Sequence, residues 1–309
     1  MLYSNNQEQL IYRYQPAPIR CSEDLLSELI EFSQISTDIV HEPFRDESNW
    51  NMGLSTTTGN VRDDNQDYGL CFNIGKYQVM IVADGMGGPP YGKRASYSVV
   101  KASAFSIMKD LGKRYKIFKP VLRDVVKQAV RTASMALSAK ADKVDSYKKG
   151  LRTTLIVIIA DKHEYVYGYI GDGSIILFQG NSFIHLLNPH KANMYIPNLL
   201  TASLGPTIHG EMVLGSHERK PNDFLITGTD GIFDRLEANP EDFPQGTNNF
   251  LSLLMNSVLE SDGNLKELSK QTINELADFQ DEQGYICNDN LTLGLLGNYK
   301  KPEVTCQKV

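Results

Sequence analysis

The chain has 309 residues, 41% of them apolar, with 37 acidic against 31 basic residues and a formal charge of −6. It is long enough to bury a sizeable core, as one large domain or two small ones, and its acidic balance gives no electrostatic footprint for nucleic acid or an anionic membrane. Cys21, Cys71, Cys287 and Cys306 show no C-x-x-C spacing, so neither a disulfide framework nor a zinc site is suggested and a reducing compartment fits. No apolar run approaches the roughly 18 residues of a membrane span. The N-terminal MLYSNNQEQL lacks the basic and apolar regions of a signal peptide, and the expectation is a soluble, cytoplasmic protein.

In chain order, residues 1–50 read as an extension. Pro16 and Pro18 interrupt its start. Residues 22–33 (SEDLLSELIEFS) then combine an N-cap serine and early acids with Leu25, Leu26, Leu29 and Ile30 at helical spacing, which predicts one short amphipathic helix whose apolar face either packs on the main domain, the favoured reading, or binds a partner. Residues 41–50 form a connector. From Asn51 the pattern turns to strands: 68–74, 77–83, 153–160, 165–170, 174–179 and 183–187 are short, rich in Val, Ile, Tyr and Phe, and bounded by Gly, Asn or Asp. Between the second and third of these, residues 93–111 and 120–144 carry apolar positions at intervals of three and four, with Pro120 suited to a first helical turn. Strands at 211–214 and 224–227, helices at 249–260 and 265–280 and a last strand at 291–296 follow. Segregated strands and helices predict an α+β class, with one domain over 51–298 and a tail at 299–309.

Residues 81–88, IVADGMGG, are a run of strand-forming residues that delivers an aspartate into glycines. Alone, this reads as a strand ending in an ordinary Asp-Gly turn. Asp67, Asp84, Asp230 and Asp289 each flank an apolar run, and converging aspartates are stabilised by hard divalent cations such as Mg²⁺ or Mn²⁺. Taken singly, each is equally a solvated turn residue.

The ordered set VRDDNQD, VADGMGG, LRTTLIVII, GYIGDGSIILF, TASLGP, LITGTDGIFD and DNLTLGLL resembles the motif succession of the protein phosphatase 2C family of metal-dependent Ser/Thr phosphatases, in its bacterial form, over nearly all of residues 51–298. The resemblance implies two antiparallel sheets packed as a β-sandwich with helices on both outer faces, a four-layer α-β-β-α arrangement holding two Mn²⁺ or Mg²⁺ ions. Asp84 would bridge both ions, with the Gly85 carbonyl coordinating one. Asp67 would serve the first ion, and Asp230 and Asp289 the second. Water or hydroxide activated between the ions would attack phosphoserine or phosphothreonine in a protein substrate, while Arg62 presents a planar fork to the phosphate. A phosphoprotein substrate, a partner Ser/Thr kinase and a monomeric state are the accompanying expectations.

The chain departs from the family pattern in places. Met86 stands where some relatives carry histidine, so that side chain supplies no acid for the leaving group. Gly150 replaces an aspartate that binds a third ion in bacterial relatives, which makes a third metal site doubtful. GDGS at 171–174 replaces GDSR, and Asp172 reads as a structural buttress. Residues 187–201 are short for the family's flap. These changes leave, as a second reading, an inactive relative that binds or docks phosphoproteins.

Other motifs are excluded. Asp63, Asn65 and Asp67 have calcium-loop spacing, but the glycine falls one place late and Ile74 takes the place of the closing glutamate. GMGGPPYG lacks the third glycine of a dinucleotide loop and no Walker lysine follows. G-x-S-x-G, HExxH and C-x₅-R are absent.

Overall fold

The computed structural model describes residues 51–88, 90–112, 121–144, 147–180, 182–192, 199–238, 247–261, 263–281 and 284–297. The extension, its expected helix at 22–33 and the tail lie outside the described residues. The elements are β1 (Asn51–Thr57), β2 (Asp67–Ile74), β3 (Tyr77–Met86), α1 (Tyr91–Leu111), α2 (Leu122–Lys143), α3 (Tyr147–Gly150), β4 (Arg152–Thr153), β5 (Leu155–Ala160), β6 (Glu164–Ile170), β7 (Ser174–Gln179), β8 (Ser182–His185), β9 (Val213–Glu218), β10 (Phe224–Gly228), α4 (Asp230–Ala238), α5 (Thr247–Glu260), α6 (Leu265–Asp278), β11 (Gln280–Asp281), β12 (Gly284–Tyr285) and β13 (Leu291–Gly297). They form two compact units, one holding Asp63–Gly173 and Leu187–Arg219, the other residues 51–62, Ser174–Leu186 and residues 220–297.

The first unit is built on an antiparallel sheet in the order β2-β3-β5-β6-β9, with β4 beside the end of β3. Val79 to Ala83 of β3 and all six residues of β5 are buried, which is why these strands read as continuous apolar runs rather than alternating ones. Helices α1 and α2 supply the rest of the core. Val99, Val126 and Ala129 pack with Val79, Ile81, Val157 and Ile159, and the alanines and serines of α1 let its backbone come close. Where the two helices meet, the buried hydroxyl of Ser103 donates to the Ala129 carbonyl at 3.4 Å and that of Thr132 to Ser106 Oγ at 3.3 Å.

The second unit carries the antiparallel sheet β1-β13-β10-β7-β8. Its core joins Phe224, Ile226, Leu293 and Leu295 of the sheet to Ile232, Leu251, Leu254 and Ile273 of α4, α5 and α6. Asn264 caps α6 by accepting the Glu267 N–H, a pairing that nucleates the first turn. The α6 backbone sits so close to β1 that a Cβ on Gly53 would lie 1.9 Å from the Leu265 carbonyl oxygen.

Two antiparallel sheets with flanking helices make the α+β class the sequence predicts. The differences lie at boundaries. Strand β3 does not stop at Ala83 but runs through Asp84 and Gly85 to Met86, because Gly85 pairs with Thr153 and Met86 with Arg152 of β4. The expected strand at 153–160 is two strands, interrupted at Thr154. The expected strand at 211–214 is displaced to Val213–Glu218, and β1 and α4 are additional elements. No helix among the described residues is long and apolar enough to cross a membrane.

Candidate metal centre

In the first unit, the β2–β3 register places Asp67 directly opposite Asp84. Opposed residues of an antiparallel pair project from the same face with Cβ atoms about 5 Å apart, and two carboxylates there repel unless a cation joins them. Asp67 is 4% exposed and Asp84 is half-buried. Upstream, the Asn65 side chain accepts the Asp67 N–H at 3.0 Å, closing a local turn that aims the start of β2.

The backbone of Asp84 is held on both sides by the interruption between β4 and β5. Thr154 Oγ1 accepts its N–H at 2.9 Å, and its carbonyl accepts both the Thr154 N–H at 2.8 Å and the Thr153 hydroxyl at 2.7 Å. Gly85 donates its N–H to the Gln66 carbonyl at 3.1 Å. A Cβ there would lie 2.2 Å from the Gly92 carbonyl oxygen and 2.6 Å from that of Gln66, so the close approach of α1 to this strand requires glycine. The left-handed turn comes later than the sequence suggests, at Gly87 (φ 98) and Gly88 (φ 76). An all-oxygen set of opposed carboxylates beside a backbone without side-chain bulk fits a hard divalent cation.

The second unit gathers Arg62, Asp230 and Asp289. Strands β10 and β13 are neighbours. Asp230 follows the end of β10 and opens α4, where the positive helix terminus favours a carboxylate. Asp289 precedes β13. Between them, Gly231 packs so tightly that a Cβ would lie 2.1 Å from the Asn290 carbonyl oxygen and 3.3 Å from the Asp289 Cβ. Arg62 Nη2 donates to Asp289 Oδ2 at 2.7 Å. One turn into α4, Asp234 brings a carboxylate oxygen within 4.8 Å of one on Asp230. Asp234 does not stand out in the linear sequence, although its spacing of four residues from Asp230 on a helix is the signal for a shared face; Thr153 and Thr154 likewise take their place at the site only through the fold.

The departures from the family motifs have physical readings. Met86 is half-buried at the end of β3. A Cβ on Gly150 would meet the Tyr91 ring at 2.9 Å, so an aromatic side chain takes the space an aspartate would need. Asp172 is buried, with Lys191 Nζ 3.9 Å from its Oδ2. The preceding Gly171 exchanges two hydrogen bonds with His190, its N–H donating to Nδ1 and its carbonyl accepting the His190 N–H, each at 3.0 Å. Burial holds the His190 imidazole below its ordinary range, with Glu211 acting in the opposite direction.

A sequence model of the family Protein phosphatase 2C matches residues 57–271. The chain is 26% identical over 253 residues to the serine/threonine phosphatase stp of Listeria welshimeri, covering 78% of this chain and 93% of that one. The serine/threonine phosphatase of S. agalactiae shares the fold with a TM-score of 0.62 at 21% identity, over 80% of this chain and 99% of that one. So does the catalytic domain of the serine/threonine protein phosphatase PstP, solved with two manganese ions, with a TM-score of 0.61 at 19% identity over 80% and 97% of the two chains. The class defined is that of a serine/threonine protein phosphatase. The chain belongs to the protein phosphatase 2C family.

Proposed function

We propose that the chain hydrolyses phosphoserine and phosphothreonine in protein substrates with the help of two divalent cations, Mn²⁺ or Mg²⁺. The observation that carries this reading is the Asp67–Asp84 cross-strand pair, whose second member is fixed through its backbone by Thr153 and Thr154. Asp67, Asp84 and the Gly85 carbonyl would hold one ion, and Asp230 and Asp289 would hold the second. When bound, such ions supply a nucleophile acidified to near neutral pH and positive charge for the phosphoryl oxygens.

The protein's own work is positional. Thr154 and Thr153 hold the Asp84 backbone, the missing side chain at Gly85 lets α1 stay close to the strand, and the Arg62 fork would bind two oxygens of the phosphate dianion and orient it. No side chain is assigned as leaving-group acid. The two ions of the PstP structure support the stoichiometry. We further propose that residues 51–298 act as one catalytic domain, with residues 1–50 an extension and 299–309 a tail, in a cytoplasmic monomer that opposes a Ser/Thr kinase. No observation favours the alternative of a phosphoprotein-binding relative without turnover.

The test is a phosphatase assay on phosphoserine and phosphothreonine peptides with Mn²⁺ or Mg²⁺, with a chelator and Asp84→Ala as controls. Metal-dependent turnover abolished by Asp84→Ala is the expected result. No turnover, or turnover indifferent to Asp84→Ala, would sink the reading.

A further inference from the structure

Asp289 accepts from two donors at once, and they differ in how easily they leave. Its Oδ1 takes the Asn290 backbone N–H at 2.8 Å. That donor is fixed, because Asn290 is buried, anchored through Nδ2 to the Thr58 carbonyl at 3.0 Å, and packed against Gly231. Its Oδ2 takes Arg62 Nη2, whose side chain is 51% exposed against 40% for Asp289. An ion pair so open to solvent is held weakly, so the guanidinium is the donor that yields.

We propose that the Arg62–Asp289 ion pair orders the ligands of the reaction: a divalent cation taken up by Asp289 displaces the guanidinium, which frees the Arg62 fork for phosphate. This inference rests on the phosphatase reading above. A guanidinium and a divalent cation on the same carboxylate repel each other, whereas a phosphate dianion offers the released fork two oxygens in place of one. Linkage then requires both consequences together. Arg62 weakens metal binding, and bound metal strengthens phosphate binding by freeing Arg62.

The experiment is calorimetric titration of the full chain with Mn²⁺, comparing wild type, Arg62→Met and Lys93→Met. Lys93 pairs with Asp64, outside the assigned ligands, so its loss removes the same charge without releasing Asp289. Arg62→Met is expected to bind Mn²⁺ about two- to five-fold more tightly, the range an exposed ion pair allows, with Lys93→Met unchanged. Inorganic phosphate is expected to bind wild type more tightly with Mn²⁺ than with a chelator, and Arg62→Met to lose most of that binding. Equal Mn²⁺ affinity in wild type and Arg62→Met, or an equal gain in Lys93→Met, overturns the coupling while leaving the phosphatase reading standing. Absence of any Mn²⁺ binding by wild type overturns both.

Discussion

Thr154 and Asp84 exchange two hydrogen bonds: the threonine hydroxyl accepts the Asp84 N–H at 2.9 Å, and the threonine N–H donates to the Asp84 carbonyl at 2.8 Å. The hydroxyl is therefore a backbone partner that keeps β3 in register beyond its apolar run. Thr154→Val keeps the shape but leaves the Asp84 N–H facing a methyl group. The expected cost is about 1–3 kcal/mol, that of a polar group deprived of its partner, with a fall in Mn²⁺-dependent turnover because Asp84 loses its fixed position. Thr154→Ser is expected to recover much of both. Urea unfolding and steady-state kinetics on the three proteins check this, and equal turnover in wild type and Thr154→Val would remove the positioning role.

Gly85 and Gly88 lie three residues apart and exclude side chains for different reasons. Gly85 has backbone atoms of Gly92 and Gln66 within 2.6 Å of where a Cβ would stand. Gly88 has nothing within 4 Å but sits at φ 76. Gly85→Ala is expected to force α1 away from the strand, costing about 1–3 kcal/mol or more as an overpacked core does, and to lose activity disproportionately. Gly88→Ala is expected to cost about 1 kcal/mol of backbone strain. Thermal unfolding compares the two, and a milder effect at Gly85 than at Gly88 would contradict the close-approach argument.

How much of this was legible depends on where each signal resides. The β3 core was legible because burial on both faces leaves an unbroken apolar run. Its last three residues were not, because Asp84-Gly85 resembles a turn and the strand that pairs with Gly85 and Met86, β4, is two residues long and nearly 70 positions away. The opposition of Asp67 and Asp84 was legible in principle. Once Ile74 pairs with Tyr77 across the turn at Gly75 and Lys76, the register carries Asp67 to Asp84 without further information. β1 was hidden because Asn51–Thr57 holds only two large apolar residues, Met52 and Leu54, and its buried position is a glycine that serves the approach of α6 rather than a turn. α4 was hidden because it begins with Asp-Gly directly after a strand, where the glycine is demanded by the Asn290 carbonyl. The roles assigned to the aspartates came from motif order, since no local period links Asp84 to Asp289.

The opposed carboxylates of Asp67 and Asp84 also make a prediction about metal removal. Asp67→Asn keeps the shape of the side chain but removes its charge, so it is expected to diminish the rise in unfolding temperature that Mn²⁺ produces in wild type. A ligand present at about 100 times its dissociation constant stabilises the fold by about 2.7 kcal/mol, which is a readily measured shift. Differential scanning calorimetry of both proteins with chelator and with Mn²⁺ is the measurement. Equal metal-induced shifts would take Asp67 out of the ligand set.

The pH dependence of stability is expected to carry a contribution from His190. Its Nδ1 accepts the Gly171 N–H at 3.0 Å, its ring lies against Tyr169, and burial lowers its pKa from 6.5 while Glu211 opposes that effect. An imidazolium donates from both nitrogens and accepts from neither, so protonation breaks the Gly171 bond. Gly171 sits at φ 113, and a Cβ there would meet Thr154 Cβ at 2.5 Å, which means that the same loop backs the threonine that holds Asp84. The sign follows from proton uptake. Below pH 6.5 the unfolded chain binds a proton that the folded His190 resists, so its stability contribution is complete above 6.5 and declines as pH falls towards the lowered folded value. Carboxylates titrate at lower pH and contribute to both wild type and variant. His190→Gln is therefore expected to unfold at a lower temperature than wild type at pH about 7.5, with the gap narrowing at pH about 5.5 as the wild-type histidine charges. Thermal unfolding at the two pH values decides it, and a gap of constant size would exclude His190 as the titrating group.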